Sequence, residues 1–96
     1  MATPESKVKA SVKKILEDRN AYYVMPVTSG YGNSGAPDFL VCYRGKFMGI
    51  ECKAGRGKVT ALQQDNLNRI VENGGVALVI NESNIDLLTE EFRKYD

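Results

Sequence analysis

Apolar residues recur at helical spacing at Val8, Val12, Ile15 and Leu16, and the run is preceded by Thr3-Pro4, a capping hydroxyl with proline at the first helical position. The pattern predicts a first helix reaching about Asn20. Residues 21–28 read as a strand, with Pro26 confining it to an edge or ending its pairing. A loop rich in glycine follows over 29–36. It runs into a strand and not into a helix, so it lacks the form of a phosphate-cradling loop and reads as a connection at the mouth of a site. Phe39-Leu40-Val41-Cys42-Tyr43 and Phe47-Met48-Gly49-Ile50 are two runs of β-formers around Arg44-Gly45-Lys46, which predicts an antiparallel hairpin.

After Lys53 a second loop, 54–58, leads to a helix that opens near Thr60, buries Leu67, Ile70 and Val71, and ends at Asn73-Gly74-Gly75. Val76 to Ile80 is a short apolar run suited to a buried strand, and a helical connection should make it parallel to the second hairpin strand. Ser83, with Asp86 three residues on, is expected to cap a last helix bearing Ile85, Leu87, Leu88 and Phe92. The predicted class is α/β, in the order α-β-β-β-α-β-α.

The register of the hairpin carries the chemistry. With Arg44-Gly45 as the loop, Asp38 stands opposite Glu51; with Gly45-Lys46, it stands opposite Lys53. Side chains alternate with period two, so either register places Asp38, Glu51 and Lys53 on one face. Two carboxylates and a lysine gathered in this way are what a metal-dependent phosphodiesterase needs. The same parity sends Cys42 and Cys52 to opposite faces, which excludes a disulfide within the hairpin. Both read as small buried residues of a protein in a reducing cytosol.

Ninety-six residues, 43% hydrophobic and 26% charged, suit one domain spanning 1–96. The chain contains no histidine, which disfavours a zinc site and removes Ser-His and Cys-His nucleophiles. No stretch approaches the roughly 20 apolar residues of a membrane span, and the start has no apolar run, so the expected location is the cytoplasm. The net charge of +1 hides an uneven distribution. The first helix, with Lys9 and Lys13, and residues 44–58, with Arg56 and Lys58, are basic, whereas the tail from Asn81 onward is acidic. The basic residues surround the proposed site, where they could contact phosphates, and Tyr31 is a candidate for stacking on a base.

Two polar residues have two readings each. Glu5 falls on the apolar stripe of the first helix, either to complement the helix dipole or to meet a positive charge there. Gln63 should face inward at the start of its helix, and with Thr60 it also fits a capping box.

Glu5, Gly35-Ala36-Pro37-Asp38, Glu51-Cys52-Lys53, Thr60 to Gln63 and the strand after Gly74-Gly75 together resemble the PD-(D/E)xK nuclease superfamily. Within it they are similar to the virus-type replication-repair nuclease (VRR-Nuc) domain, in the stand-alone form found in phage-encoded members. The resemblance covers nearly the whole chain and implies a restriction-endonuclease-like mixed sheet. It implies that Asp38, Glu51 and the main-chain carbonyl of Cys52 bind Mg²⁺ or Mn²⁺, hard ions that prefer oxygen ligands. Glu5 would join through a metal-bound water, and Gln63 would orient Lys53 or the attacking water. For Lys53 an electrostatic role is favoured, because a lysine of ordinary pKa, about 10.4, is a poor base at neutral pH. The implied activity is structure-selective cleavage of DNA, resembling Holliday-junction resolution by a homodimer. The competing readings are a flap or restriction-like endonuclease and a non-catalytic nucleic-acid-binding module.

Overall fold

The structure is a computed structural model that describes residues 2–27 and 35–96. Helix α1 (Pro4–Asp18) begins at its sequence signal: the Thr3 hydroxyl accepts from the Ser6 N–H at 3.1 Å, and Pro4 takes a position where no N–H is missed. Its buried residues are Val8, Val12 and Leu16, one stripe of the predicted period. Strand β1 (Tyr22–Val24) is shorter than the sequence suggests, because pairing stops before Pro26, which has no N–H to give a ladder. Of the expected loop over 29–36, only Gly35 and Ala36 are described; Tyr31 lies outside the described residues.

Strands β2 (Phe39–Tyr43) and β3 (Lys46–Cys52) form the hairpin, paired from Phe39 with Ile50 to Tyr43 with Lys46. Arg44-Gly45 is therefore a two-residue loop, with φ of 51° and 83°. Positive φ at both positions matches the twist of the flanking strands; glycine adopts it freely, while the Arg44 guanidinium lies over the Tyr43 ring at 5.6 Å. Of the two registers the sequence allows, this is the one that sets Asp38 against Glu51.

Helix α2 (Ala61–Glu72) carries the chain across to β4 (Val76–Ile80), which pairs parallel to β3 as the helical connection requires. The sheet is mixed, in the order β1-β2-β3-β4. On one face, α1 and α3 (Asp86–Arg93) bury Phe39, Val41, Met48, Ile50 and Cys52 beneath Val12, Leu16, Leu88 and Phe92. On the other lies α2, close above Gly49, where an added Cβ would run into Ile70 Cδ1 and stand 3.1 Å from Pro37 Cγ. The missing side chain lets α2 settle onto the sheet.

Four expectations change. Val71 is 56% exposed instead of buried, because α2 meets the sheet through Leu67 and Ile70. Strand β4 is an edge, so only Ile80 is fully buried and Val79 is 39% exposed. Cys42 is exposed and not buried, because α2 packs on β3 and β4 and leaves the β1–β2 part of that face open. Ser83 does not cap α3, which has no side-chain cap at its start. Asn81 closes the preceding turn instead, its Oδ1 accepting from the N–H groups of Ser83 and Asn84 at 2.8 and 3.1 Å. A short amide side chain mimics a backbone turn better than a hydroxyl does. Among the described residues, no helix is long and apolar enough to cross a membrane.

Candidate functional site

One step beyond the Phe39–Ile50 pair the β2–β3 ladder runs out of backbone partners, and the Asp38 side chain takes over. Its Oδ2 accepts from the Cys52 N–H at 2.8 Å. On the same face, Glu51 is 3% exposed, and the Lys53 Nζ stands 3.6 Å from its Oε2. The Lys53 N–H donates to the Ile80 carbonyl at 2.9 Å, so the parallel neighbour fixes the backbone from which this side chain projects. Asp38, Glu51 and Lys53 are thus brought together, as the hairpin parity predicts.

The first turns of α1 reach the same end of the sheet. Lys9 Nζ is 3.4 Å from Asp38 Oδ1 and 3.9 Å from Glu5 Oε2. Glu5 therefore meets a positive charge, Lys9, which stands between it and Asp38. The site is a chain of alternating signs, Glu5, Lys9, Asp38, interrupted where Asp38 faces a second acid, Glu51, and resumed at Lys53.

That interruption has a price in protonation. Burial, and then the neighbouring Asp38 charge, push the Glu51 carboxyl up from its ordinary 4.5 to about 7, against the pull of Lys53. Partial burial pulls the Lys9 ammonium down, but the Asp38 carboxylate, by charge and hydrogen bond, outweighs it and leaves the pKa raised. On the core face of the sheet, burial and then the Asp38 and Glu51 charges push the Cys52 thiol up to about 12. It stays protonated and supplies neither a nucleophile nor a thiolate ligand.

The donor set suits a hard divalent ion. Asp38 and Glu51 give carboxylate oxygens. The Cys52 carbonyl shares the strand edge of its N–H, since both groups of an extended residue point to the same neighbour. Among the described residues, no three His, Cys, Asp or Glu side chains are gathered into a closed cage. Two carboxylates and a carbonyl fit an ion that keeps several of its waters, as Mg²⁺ does. A cation here would also relieve the repulsion that raises the Glu51 pKa.

Gln63 forms the capping box of α2: its Oε1 accepts from the Thr60 N–H at 2.9 Å, and Thr60 Oγ1 accepts from the Gln63 N–H at 3.1 Å. Its carbonyl oxygen is thereby occupied, leaving the amide NH₂ for any role at the site. Arg56 and Lys58 are exposed on the loop between β3 and α2, and Lys13 is exposed on α1 one turn beyond Lys9. Sequence reasoning missed Glu82, whose Oε1 accepts from the Gly55 N–H at 2.7 Å and ties down the loop bearing Arg56 and Lys58. Nothing in the sequence signals this, because Glu82 belongs to an acidic tail that looks merely solvated.

No family model and no curated protein matches the sequence. Among solved structures, one described as a "VRR_NUC domain" superposes with a TM-score of 0.74 at 26% identity, covering 95% of this chain and 99% of that chain. Over nearly its whole length this chain is therefore similar to a VRR_NUC domain, with the restriction-endonuclease-like α/β fold that the resemblance of its motifs implies.

Proposed function

We propose that this chain is a nuclease of the PD-(D/E)xK type: a metal-dependent, structure-selective DNA endonuclease that cleaves branched DNA, resolving four-way junctions as a homodimer in the cytoplasm. The observation that carries this reading is the grouping of Asp38, buried Glu51 and Lys53 at the end of one hairpin. A chain built only to bind nucleic acid has no need of paired carboxylates that repel phosphate. Similarity to a VRR_NUC domain supports the same reading.

Bound Mg²⁺ or Mn²⁺ supplies Lewis acidity at the scissile phosphate and a source of activated water. Asp38 and Glu51 would hold the ion, and the Cys52 N–H, donating to Asp38 Oδ2, orients that carboxylate. Lys53 offsets charge that builds on the phosphate, an electrostatic role that needs no proton transfer. The Gln63 NH₂ orients Lys53 or the water. Arg56, Lys58 and Lys13 hold the flanking phosphates, and Tyr31 is the candidate for base stacking. A domain this small reads shape and phosphate spacing more readily than base edges. A two-fold junction cut on two strands calls for two sites related by the same symmetry, hence an isologous homodimer.

The test uses labelled single-stranded, duplex, flap and four-way DNA with Mg²⁺ or Mn²⁺, Asp38→Ala as control, and sedimentation of the protein. Cleavage of the four-way substrate by a dimer, abolished in Asp38→Ala, is the expected result. A monomer that cuts flaps replaces the resolvase with a flap nuclease. Binding without metal-stimulated cleavage, unchanged by Lys53→Ala, overturns the enzyme.

A further inference from the structure

Lys9 does not behave as a surface lysine. Its side chain is 35% exposed, and its Nζ lies between Asp38 Oδ1 at 3.4 Å and Glu5 Oε2 at 3.9 Å. The two Asp38 oxygens are divided: Oδ2 faces the Cys52 N–H and Oδ1 faces Lys9. One ion would be held by Asp38 together with Glu51, which shares its sheet face. A second ion, bridged by Asp38 Oδ1 and Glu5, would have to stand where the ammonium stands.

We propose that the Lys9 ammonium takes the place of a second cation in this centre, so that the site accepts a single divalent ion and Glu5 serves Lys9 and not the metal. This rests on the metal-dependent reading above and specifies the number of ions. Charge counting agrees with the geometry. The three carboxylates of Glu5, Asp38 and Glu51, set against the ammonium groups of Lys9 and Lys53, leave one net negative charge when all are ionised. One divalent ion reverses that to a single positive charge, a suitable balance for a phosphodiester anion. Two ions would leave a triple positive charge in a partly buried pocket, which is unfavourable without further acids. Removing Lys9 vacates the position and leaves two net negative charges, so that one divalent ion gives a neutral site and a second, held by Asp38 and Glu5, brings it to a double positive charge instead of a triple one. Lys9 is thus a positioning residue that sets stoichiometry through Asp38 and Glu5.

The experiment titrates Mn²⁺ into the metal-free protein without DNA. Bound ions are counted by calorimetry and by the electron paramagnetic resonance of free Mn²⁺, with thermal melts alongside. Wild type and Lys9→Arg should bind one ion. Lys9→Met should bind two, gain more melting temperature from Mn²⁺ than wild type does, and return to one ion in the double variant Lys9→Met/Glu5→Gln. Two ions in wild type, or one in a folded Lys9→Met protein, would overturn this inference while leaving the metal-dependent reading intact. Absence of any ion in wild type, or binding unaffected by Asp38→Ala, would overturn that reading and the inference with it.

Discussion

Asp38 Oδ2 accepts the backbone N–H of Cys52 at 2.8 Å, so a side-chain carboxylate forms the last rung of the β2–β3 ladder. One group thereby closes the sheet and presents its other oxygen to the site, which couples the folding of the hairpin to the chemistry at its end. The two roles separate in substitutions. Asp38→Asn keeps an acceptor for Cys52 and should melt within a few degrees of wild type, yet lose metal-dependent cleavage by at least about a hundredfold. Asp38→Ala leaves the Cys52 N–H without its acceptor and should cost a further ~1–3 kcal/mol by denaturant titration.

Stability in the absence of divalent ions should fall as pH rises from 4.5 to about 7, the interval between the ordinary and the raised value for Glu51. In that interval the native carboxyl keeps a proton that the unfolded chain has released. The native state then binds more protons, and the slope of unfolding free energy against pH is negative. The full effect is on the order of 3 kcal/mol. Glu51→Gln should flatten the slope, and saturating Mn²⁺ should offset the loss. A stability curve rising through the same interval would contradict the burial of Glu51 beside Asp38.

Lys53 is the ammonium paired with Glu51, its Nζ 3.6 Å from Oε2. Lys53→Ala should raise the Glu51 pKa further and shift the pH midpoint of Mn²⁺ binding upward, because the ion must displace a proton held more firmly. Cleavage should fall by a hundredfold or more while Mn²⁺ still binds at higher pH. Unchanged cleavage would remove Lys53 from the chemistry.

Gln63 permits a direct separation of capping from chemistry. Gln63→Glu retains an acceptor for the Thr60 N–H and should preserve stability, whereas Gln63→Ala should cost ~1 kcal/mol through loss of the reciprocal bond. If the amide NH₂ orients Lys53 or the water, both variants lose activity. If Gln63 only caps α2, the glutamate variant keeps full cleavage, a result that a melt and an assay on the same preparation would establish.

Gly49→Ala should destabilise the fold by ~1–3 kcal/mol, since its Cβ would collide with the Ile70 side chain and press on Pro37. Ile70→Val removes the colliding methyl and should recover part of the loss in the double variant. Equal stability of Gly49→Ala and wild type would mean that α2 does not sit so close to β3.

The hairpin, its parity and the three residues at its end were legible in the sequence because they depend on local rules: β-formers on both sides of a short turn, and alternation of side chains. The caps at Thr3 and Thr60 were legible for the same reason, since capping acts across three residues. The choice of Arg44-Gly45 as the loop lay beyond the sequence, which permitted two registers. So did the exposure of Cys42 and Val79, which depends on how far α2 extends across the sheet and on which strand ends up at the edge. Lys9 between Glu5 and Asp38, and Glu82 on Gly55, join segments far apart in the chain. No local pattern encodes such meetings; they exist only once the packing of helices and loops on the sheet fixes which charged and polar groups come within reach of one another.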